Sequence, residues 1–241
     1  MTTEEVLVRV DVDKVVRIPA CEVSRDKVAM GLPFRAAMSR RGQRHFPGWY
    51  WAATMSGLVW YESRLELSRL QLADFDPQVI WMGSQPFQLV RADAARTRRH
   101  VPDFLFGLED GRMRVVDVKP RDRLTRPKVR MQFDWTREVV EGWGWEYRVE
   151  SEPDPVLARN VRFLAGYRRV SQFLPDEVDA AIAAVTAPTS VGAAIRQVTE
   201  AVAAPDYARG LVLHLLWRRV WRTDLTVPMQ SSSILVPEAL S

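Results

Sequence analysis

The sequence predicts an α/β protein: a mixed sheet flanked by helices, followed by a mainly helical second domain. Three observations carry this. Short apolar and aromatic strand-like runs alternate with helix-forming runs through the first 150 or so positions. An Asp-Gly pair in Glu109-Asp110-Gly111-Arg112 marks a tight hairpin inside that region. The composition then shifts at Ser151-Glu152-Pro153-Asp154-Pro155, beyond which helical patterning dominates. The expected divisions are residues 1–47, an N-terminal strand and basic arm; 48–152, the α/β domain; and 153–241, the helical domain.

Positions 5–18 alternate apolar and polar as a strand does, with Val6, Val8 and Val10 on one side. Positions 19–47 show little pattern beyond a basic group, Arg40, Arg41, Arg44 and His45. Aromatic strands are expected at 48–54 and 58–61, joined by Met55-Ser56-Gly57. Positions 62–73 are rich in helix formers, with neither Pro nor Gly before Pro77. A short strand at 79–82, the Asp-Gly hairpin, a helix at 128–141 and a strand at 145–149 complete the first domain. In the second, helices are expected at 156–174, 176–185, 190–203 and 207–220, punctuated by Pro175, Pro188 and Pro205. Strands at 224–228 and 233–236 would close it; helices ending in a hairpin suggest a winged-helix-like domain.

The hairpin carries the chemistry. Pro102-Asp103 is followed after thirteen residues by Asp117-Val118-Lys119, so the turn makes the two halves strand neighbours. The two-residue period sends Val116 and Val118 to one face and Val115, Asp117 and Lys119 to the other. Carboxylate oxygens suit a hard cation such as Mg²⁺, which activates water and polarises a phosphate, and Lys119 would position that water or offset negative charge. The pattern points to phosphodiester cleavage; its plain alternative is an internal Asp–Lys contact on a polar-faced strand. The helix at 62–73 brings Glu62, Glu66 and Arg69 along one stripe, so it offers a third acid or, alternatively, a surface ion pair between Glu66 and Arg69.

The run Tyr61-Glu62-Ser63-Arg64-Leu65-Glu66, Asp74-Phe75-Asp76-Pro77, Ser84-Gln85-Pro86-Phe87, Val101-Pro102-Asp103-Phe104 and Val116-Asp117-Val118-Lys119-Pro120 resembles the TnsA-like transposase endonucleases. These belong to the restriction-endonuclease-like, PD-(D/E)xK nucleases. The resemblance spans 48–150 and rests on the order of several short motifs. It implies a restriction-endonuclease-like fold, with Glu66, Asp103, Asp117 and Lys119 as catalytic residues. Glu66, Asp103, Asp117 and the Val118 carbonyl are the implied metal ligands, with Glu62 as the alternative helix acid. Some family members carry Gln where this chain has Asp117, so the acidic set here is the fuller one. The implied activity is Mg²⁺-dependent hydrolysis at the 5′ ends of a mobile element, Mn²⁺ substituting. The implied partners are DNA, a DDE-type transposase and, as a further candidate, an ATPase regulator of transposition, with assembly served by the C-terminal domain. Two alternatives stay open: a stand-alone restriction or repair-type nuclease, and a non-catalytic nuclease-fold DNA-binding protein.

Composition agrees with a DNA enzyme. The 241 residues are 47% hydrophobic, the formal net charge is +4 and the pI is near 9.5. Basic residues crowd the motif: Arg91, Arg96, Arg98, Arg99 and His100 precede it, and Arg121, Arg123, Arg126, Lys128 and Arg130 follow. Of these, Arg98, Arg99, Arg121, Arg123, Arg126 and Lys128 are the candidate DNA contacts; a solvated charged face is the alternative. The acidic start and the absence of a long apolar run predict a cytoplasmic protein without a membrane span. The single cysteine, Cys21, excludes an internal disulfide and is expected to be a buried small apolar group or a strand residue. No Gly-rich phosphate loop occurs, and His45, His100 and His214 are too scattered to suggest a zinc cluster. The aromatics are expected mainly in the core.

Overall fold

A computed structural model describes residues 3–29, 31–34, 46–92, 97–169 and 173–238. The chain divides into two compact units, Met1–Glu152 and Pro153–Ser241. The first runs β1 (Thr3–Asp11), β2 (Lys14–Pro19), α1 (Arg25–Ala29), β3 (Gly48–Ala52), β4 (Gly57–Tyr61), α2 (Arg64–Phe75) and β5 (Val79–Ser84). It continues with β6 (Gln88–Ala92), β7 (Thr97–His100), β8 (Phe104–Leu108), β9 (Met113–Val118), α3 (Pro127–Gly142) and β10 (Glu146–Glu150).

A four-stranded sheet in the order β10-β9-β8-β5 is the centre of this unit. Its β5–β8 and β8–β9 pairs are antiparallel, whereas β9 and β10 are parallel, so the predicted mixed sheet is present. A parallel pair needs a crossover, and α3 provides it. The β8–β9 hairpin closes as its Asp-Gly pair predicts. Gly111, at φ +83°, donates its N–H to Leu108 O at 2.9 Å, and Leu108 N–H donates to Arg112 O at 2.9 Å. A side chain would strain that left-handed backbone.

Alternation along β8 and β9 gives the sheet two apolar faces. Phe104, Phe106, Val116 and Val118 pack with Leu70 of α2 and with Tyr50 and Val59 of the β3–β4 ribbon. Leu105, Met113 and Val115 pack with Phe133, Val139 and Val140 of α3 and with Val6, Val8 and Leu89 of a second sheet, β2-β1-β6-β7. Asp74 fastens α2 to the ribbon: its buried carboxylate accepts from Tyr50 Oη at 2.7 Å, Ala53 N at 3.0 Å and Thr54 N at 2.8 Å.

Several local expectations need correction. Positions 5–18 form two antiparallel strands, because the chain turns at Val12-Asp13, where Asp11 Oδ1 accepts from Val12 N–H at 2.7 Å. The basic residues before the hairpin, which carried no strand pattern, lie on strands: Arg91 on β6, and Arg98, Arg99 and His100 on β7, an edge strand whose outer side tolerates charge. Cys21 is exposed in a short 3₁₀ turn (Ala20–Glu22). The aromatics do pack mainly into the core, Trp135 within one cluster and Trp143 against it, whereas Trp49 is 56% exposed on the outer face of the ribbon, against Trp60 at 5.1 Å. The Arg40, Arg41, Arg44 and His45 group and Arg96 lie outside the described residues.

The second unit contains α4 (Pro155–Leu164), α5 (Pro175–Ala184), β11 (Thr189–Ser190), α6 (Val191–Ala201), α7 (Ala208–Trp217), β12 (Trp221–Arg222) and β13 (Ile234–Pro237). Its three strands order as β11-β13-β12. The first helix is shorter than expected, ending at Leu164 and continuing only as a 3₁₀ turn to Tyr167. The strand expected at 224–228 is absent, and 221–222 takes its place beside β13. The reason is Asn160 on α4, whose buried amide donates to Leu225 O at 2.9 Å and Val227 O at 2.7 Å and accepts from Met229 N at 3.3 Å. Those backbone groups are therefore spent on a side chain instead of a ladder.

Candidate active site

The hairpin delivers Asp103 and Asp117 to one end of the central sheet, and each is fixed by several bonds. Asp103 donates its N–H to Val116 O at 3.1 Å, and its carbonyl accepts from Gln85 N at 2.8 Å. Its Oδ2 accepts from Val118 N–H at 2.6 Å. Gln85, in the Gln-Pro-Phe element, is buried at φ +46°, a conformation costly for a residue with a side chain. Asp117, at 2% exposure, accepts on Oδ2 from His100 Nε2 at 2.8 Å and from Tyr147 Oη at 2.5 Å. Gln132 of α3 donates in turn to His100 Nδ1. An imidazole with its proton on Nε2 satisfies both contacts at once.

Lys119 is tied to the end of β10: its N–H donates to Glu150 O at 2.8 Å and its carbonyl accepts from Ser151 Oγ at 2.7 Å. Glu66 lies in the first turn of α2 in the Ser-x-x-Glu arrangement that caps helices. Its Oε1 accepts from Ser63 Oγ at 2.8 Å, its Oε2 from Glu62 N–H at 2.7 Å, and Ser63 Oγ accepts from Glu66 N–H at 3.2 Å. The alternative Glu66–Arg69 ion pair does not form. Arg69 instead meets Glu150 at 3.3 Å and donates to Ser151 O at 2.5 Å, joining α2 to the same end of β10 as Lys119.

Glu62, Glu66, Asp103, Asp117, Val118 and Lys119 all line one cleft of about 580 Å³. Burial, and then the charges of Asp117 and Glu66, push the Asp103 carboxyl well above the usual carboxylate range; Val118 N–H and Lys119 oppose the shift. Burial also raises Glu66, against the pull of its capping bonds and of Lys119. Burial and the neighbouring Asp117 raise the Tyr147 hydroxyl, so it stays a proton donor. Mutually repelling acids in one cleft are the electrostatic condition a divalent cation relieves.

Among the described residues, no group of three or more His, Cys, Asp or Glu side chains is arranged to hold a metal ion. The donor set nonetheless fits a hard cation through two carboxylates. Oδ1 of Asp103 and Oδ1 of Asp117 accept no hydrogen bond among the described residues, whereas both oxygens of Glu66 are engaged in its cap. Glu66 would become a ligand by exchanging those capping partners for the ion.

Of the candidate DNA contacts, Arg123 lines the cleft, and Arg98, Arg99 and Lys128 line a neighbouring hollow. Arg121 donates its N–H to Glu152 Oε2 at 3.0 Å, and Arg126 is the exposed N-cap residue of α3. The sequence reading missed His100, Tyr147 and Gln132 as members of the site. No spacing could reveal His100 and Tyr147, which stand 17 and 30 residues from Asp117. The capping role of Glu66 did have a signal, in Ser63-Arg64-Leu65-Glu66.

Among curated proteins, none matches the chain. Residues 76–152, from the end of α2 through β10, match the family model described as TnsA-like endonuclease N terminal. That segment is under half of the chain, contains Asp103, Asp117 and Lys119, and leaves Glu66 outside. The part of the chain that builds the paired-acid hairpin and its crossover is thus similar to the TnsA-like endonuclease N-terminal domain, which supports a TnsA-like nuclease family.

Proposed function

We propose that the protein is a Mg²⁺-dependent DNA endonuclease subunit of a heteromeric transposase, hydrolysing phosphodiester bonds at the 5′ ends of a mobile element. The observation that carries this reading is the side-by-side placement of Asp103 and Asp117, with Lys119 two positions on, in one cleft within the segment similar to TnsA-like endonucleases. Asp103, Asp117 and the Val118 carbonyl would hold the ion, with Glu66 joining after it leaves its cap. Bound Mg²⁺, or Mn²⁺ in its place, would supply Lewis acidity and an activated water. His100 and Tyr147 hold Oδ2 of Asp117, a residue that lines the cleft, and leave Oδ1 for the ion. Lys119 brings positive charge to where the phosphate becomes more negative. The arginines and Lys128 named above position the DNA backbone without reading sequence.

A nuclease with phosphate contacts and little apparatus for reading bases gains its specificity from a partner, here a DDE-type transposase that acts on the 3′ ends. The second unit serves that assembly, including contact with an ATPase regulator. Its order of two helices, a short strand, two helices and two strands, with β13 central, supports a winged-helix-like reading. The test is reconstitution with the transposase on end-labelled DNA in Mg²⁺, mapping breaks on each strand. Partner-dependent 5′-end breaks, lost in Asp117→Ala while 3′ breaks remain, support the proposal. Efficient partner-independent double-strand cutting at a fixed internal sequence would replace it with a restriction-type enzyme, and DNA binding without any cleavage would leave an assembly protein.

A further inference from the structure

Beside the catalytic cleft lies a second hollow of about 220 Å³, lined by Arg98 and Arg99 of β7 and by Lys128, Met131, Gln132 and Trp135 of α3. Three basic residues from two separate elements line it, and no carboxylate does. Two nearby acids are taken: Glu4 and Glu138 both pair with Arg91, which stands opposite Arg98 across the β6–β7 ladder. Among the described residues, none of Arg98, Arg99 and Lys128 forms an ion pair. Like charges held together this way are unfavourable without a counter-anion. The N-terminal end of the 16-residue α3, where Lys128 sits, adds the positive end of a helix dipole. Trp135 turns its indole N–H away to Glu4 at 2.9 Å and leaves the hollow an apolar wall.

Gln132 lines both this hollow and the catalytic cleft, so the two are neighbours along α3. We infer that the Arg98, Arg99 and Lys128 hollow is a second phosphate subsite, which takes a backbone phosphodiester of the same DNA strand whose neighbouring phosphate lies in the catalytic cleft. The inference deepens the nuclease reading and rests on it for the direction of the strand. Its chemistry is that of a diester monoanion met by guanidinium forks and an ammonium, a contact that fixes register and carries no base information.

The test is the salt dependence of DNA binding in EDTA, so that no cleavage occurs, for the full chain and for Arg98→Gln, Arg99→Gln, Lys128→Gln and the triple variant. The slope of log K against log salt should fall in magnitude by about 1 for each residue removed. The loss should be equal across unrelated sequences, and Arg99→Lys should restore most of the slope. Inorganic phosphate at matched ionic strength should not displace the DNA. A triple variant that melts as the parent does and keeps its full slope overturns the subsite, as does displacement by inorganic phosphate. The nuclease reading is tested separately by adding Mg²⁺: cleavage with an unchanged slope removes the subsite alone, whereas a reduced slope without cleavage removes the nuclease alone.

Discussion

His100 donates from Nε2 to Oδ2 of Asp117 at 2.8 Å, and both side chains are buried. Tyr147 shares the same oxygen, so one carboxylate is held from an edge strand of one sheet and from β10 of another. His100→Ala and Tyr147→Phe should each cost about 1–3 kcal/mol in urea unfolding, since a buried acceptor loses a donor. Because both donors serve one atom, their double variant should deviate from additivity by about 0.5–3 kcal/mol. Strict additivity would show that the two contacts do not share the oxygen.

Asp103 gives a pH prediction. Its carboxyl is raised by burial and then by Asp117 and Glu66, and Glu66 is raised as well. In the unfolded chain these acids lose their protons near about pH 4. Above that value the native state keeps protons the unfolded chain has released, so stability falls with rising pH. The contribution is fully present below the unfolded pKa and is lost as pH passes through the raised native one. Asp103→Asn should therefore melt higher than the parent at neutral pH without metal, with the gap closing below about pH 4 and narrowing on addition of Mg²⁺. Calorimetry across that range decides it; a variant no more stable than the parent at neutral pH would remove the repulsion from this account.

Glu66 has a structural and a chemical role that substitution separates. Glu66→Gln preserves the Ser-x-x-Gln cap and should keep stability near that of the parent while abolishing cleavage. Glu66→Ala should lose cleavage and, with it, about 1 kcal/mol of stability. Retained cleavage in the Gln variant, with loss in Glu62→Ala, would transfer the acid's role to Glu62.

Asn160 predicts the behaviour of the second unit. Asn160→Ala strands two carbonyls and one N–H on the 225–229 segment. A loss of about 2–4 kcal/mol is expected, together with faster hydrogen exchange at Met229. Unchanged exchange there would show that the segment is held by other contacts.

The paired acids were legible in sequence because an Asp-Gly turn and two-residue alternation are local rules, and β8 and β9 obey both. Helix α3 was legible for the same reason, since nothing between Pro127 and Gly142 interrupts it. β7 was not: Thr97-Arg98-Arg99-His100 lacks alternating apolar residues and becomes a strand only because β6 lies beside it. His100 was visible as part of a basic run, while its contact with Asp117 depends on two sheets meeting. The strand expected at 224–228 failed through Asn160, a partner 65 to 69 residues away.

The parallel β9–β10 pair also sets the order in which a ribosome-bound chain completes its site. When the chain has emerged just past β9, Asp103, Asp117 and Lys119 are all present, yet Tyr147, thirty residues beyond Asp117, has not appeared. Glu150, whose carbonyl anchors Lys119, arrives later still. Non-local parallel pairing is a slow step, and domains close as units during synthesis. A nascent or stalled chain ending before β10 therefore carries Asp103, Asp117 and Lys119 without the Tyr147 and Glu150 contacts that hold Asp117 and Lys119. The site is therefore complete only when the last strand of the first unit, β10, has been made.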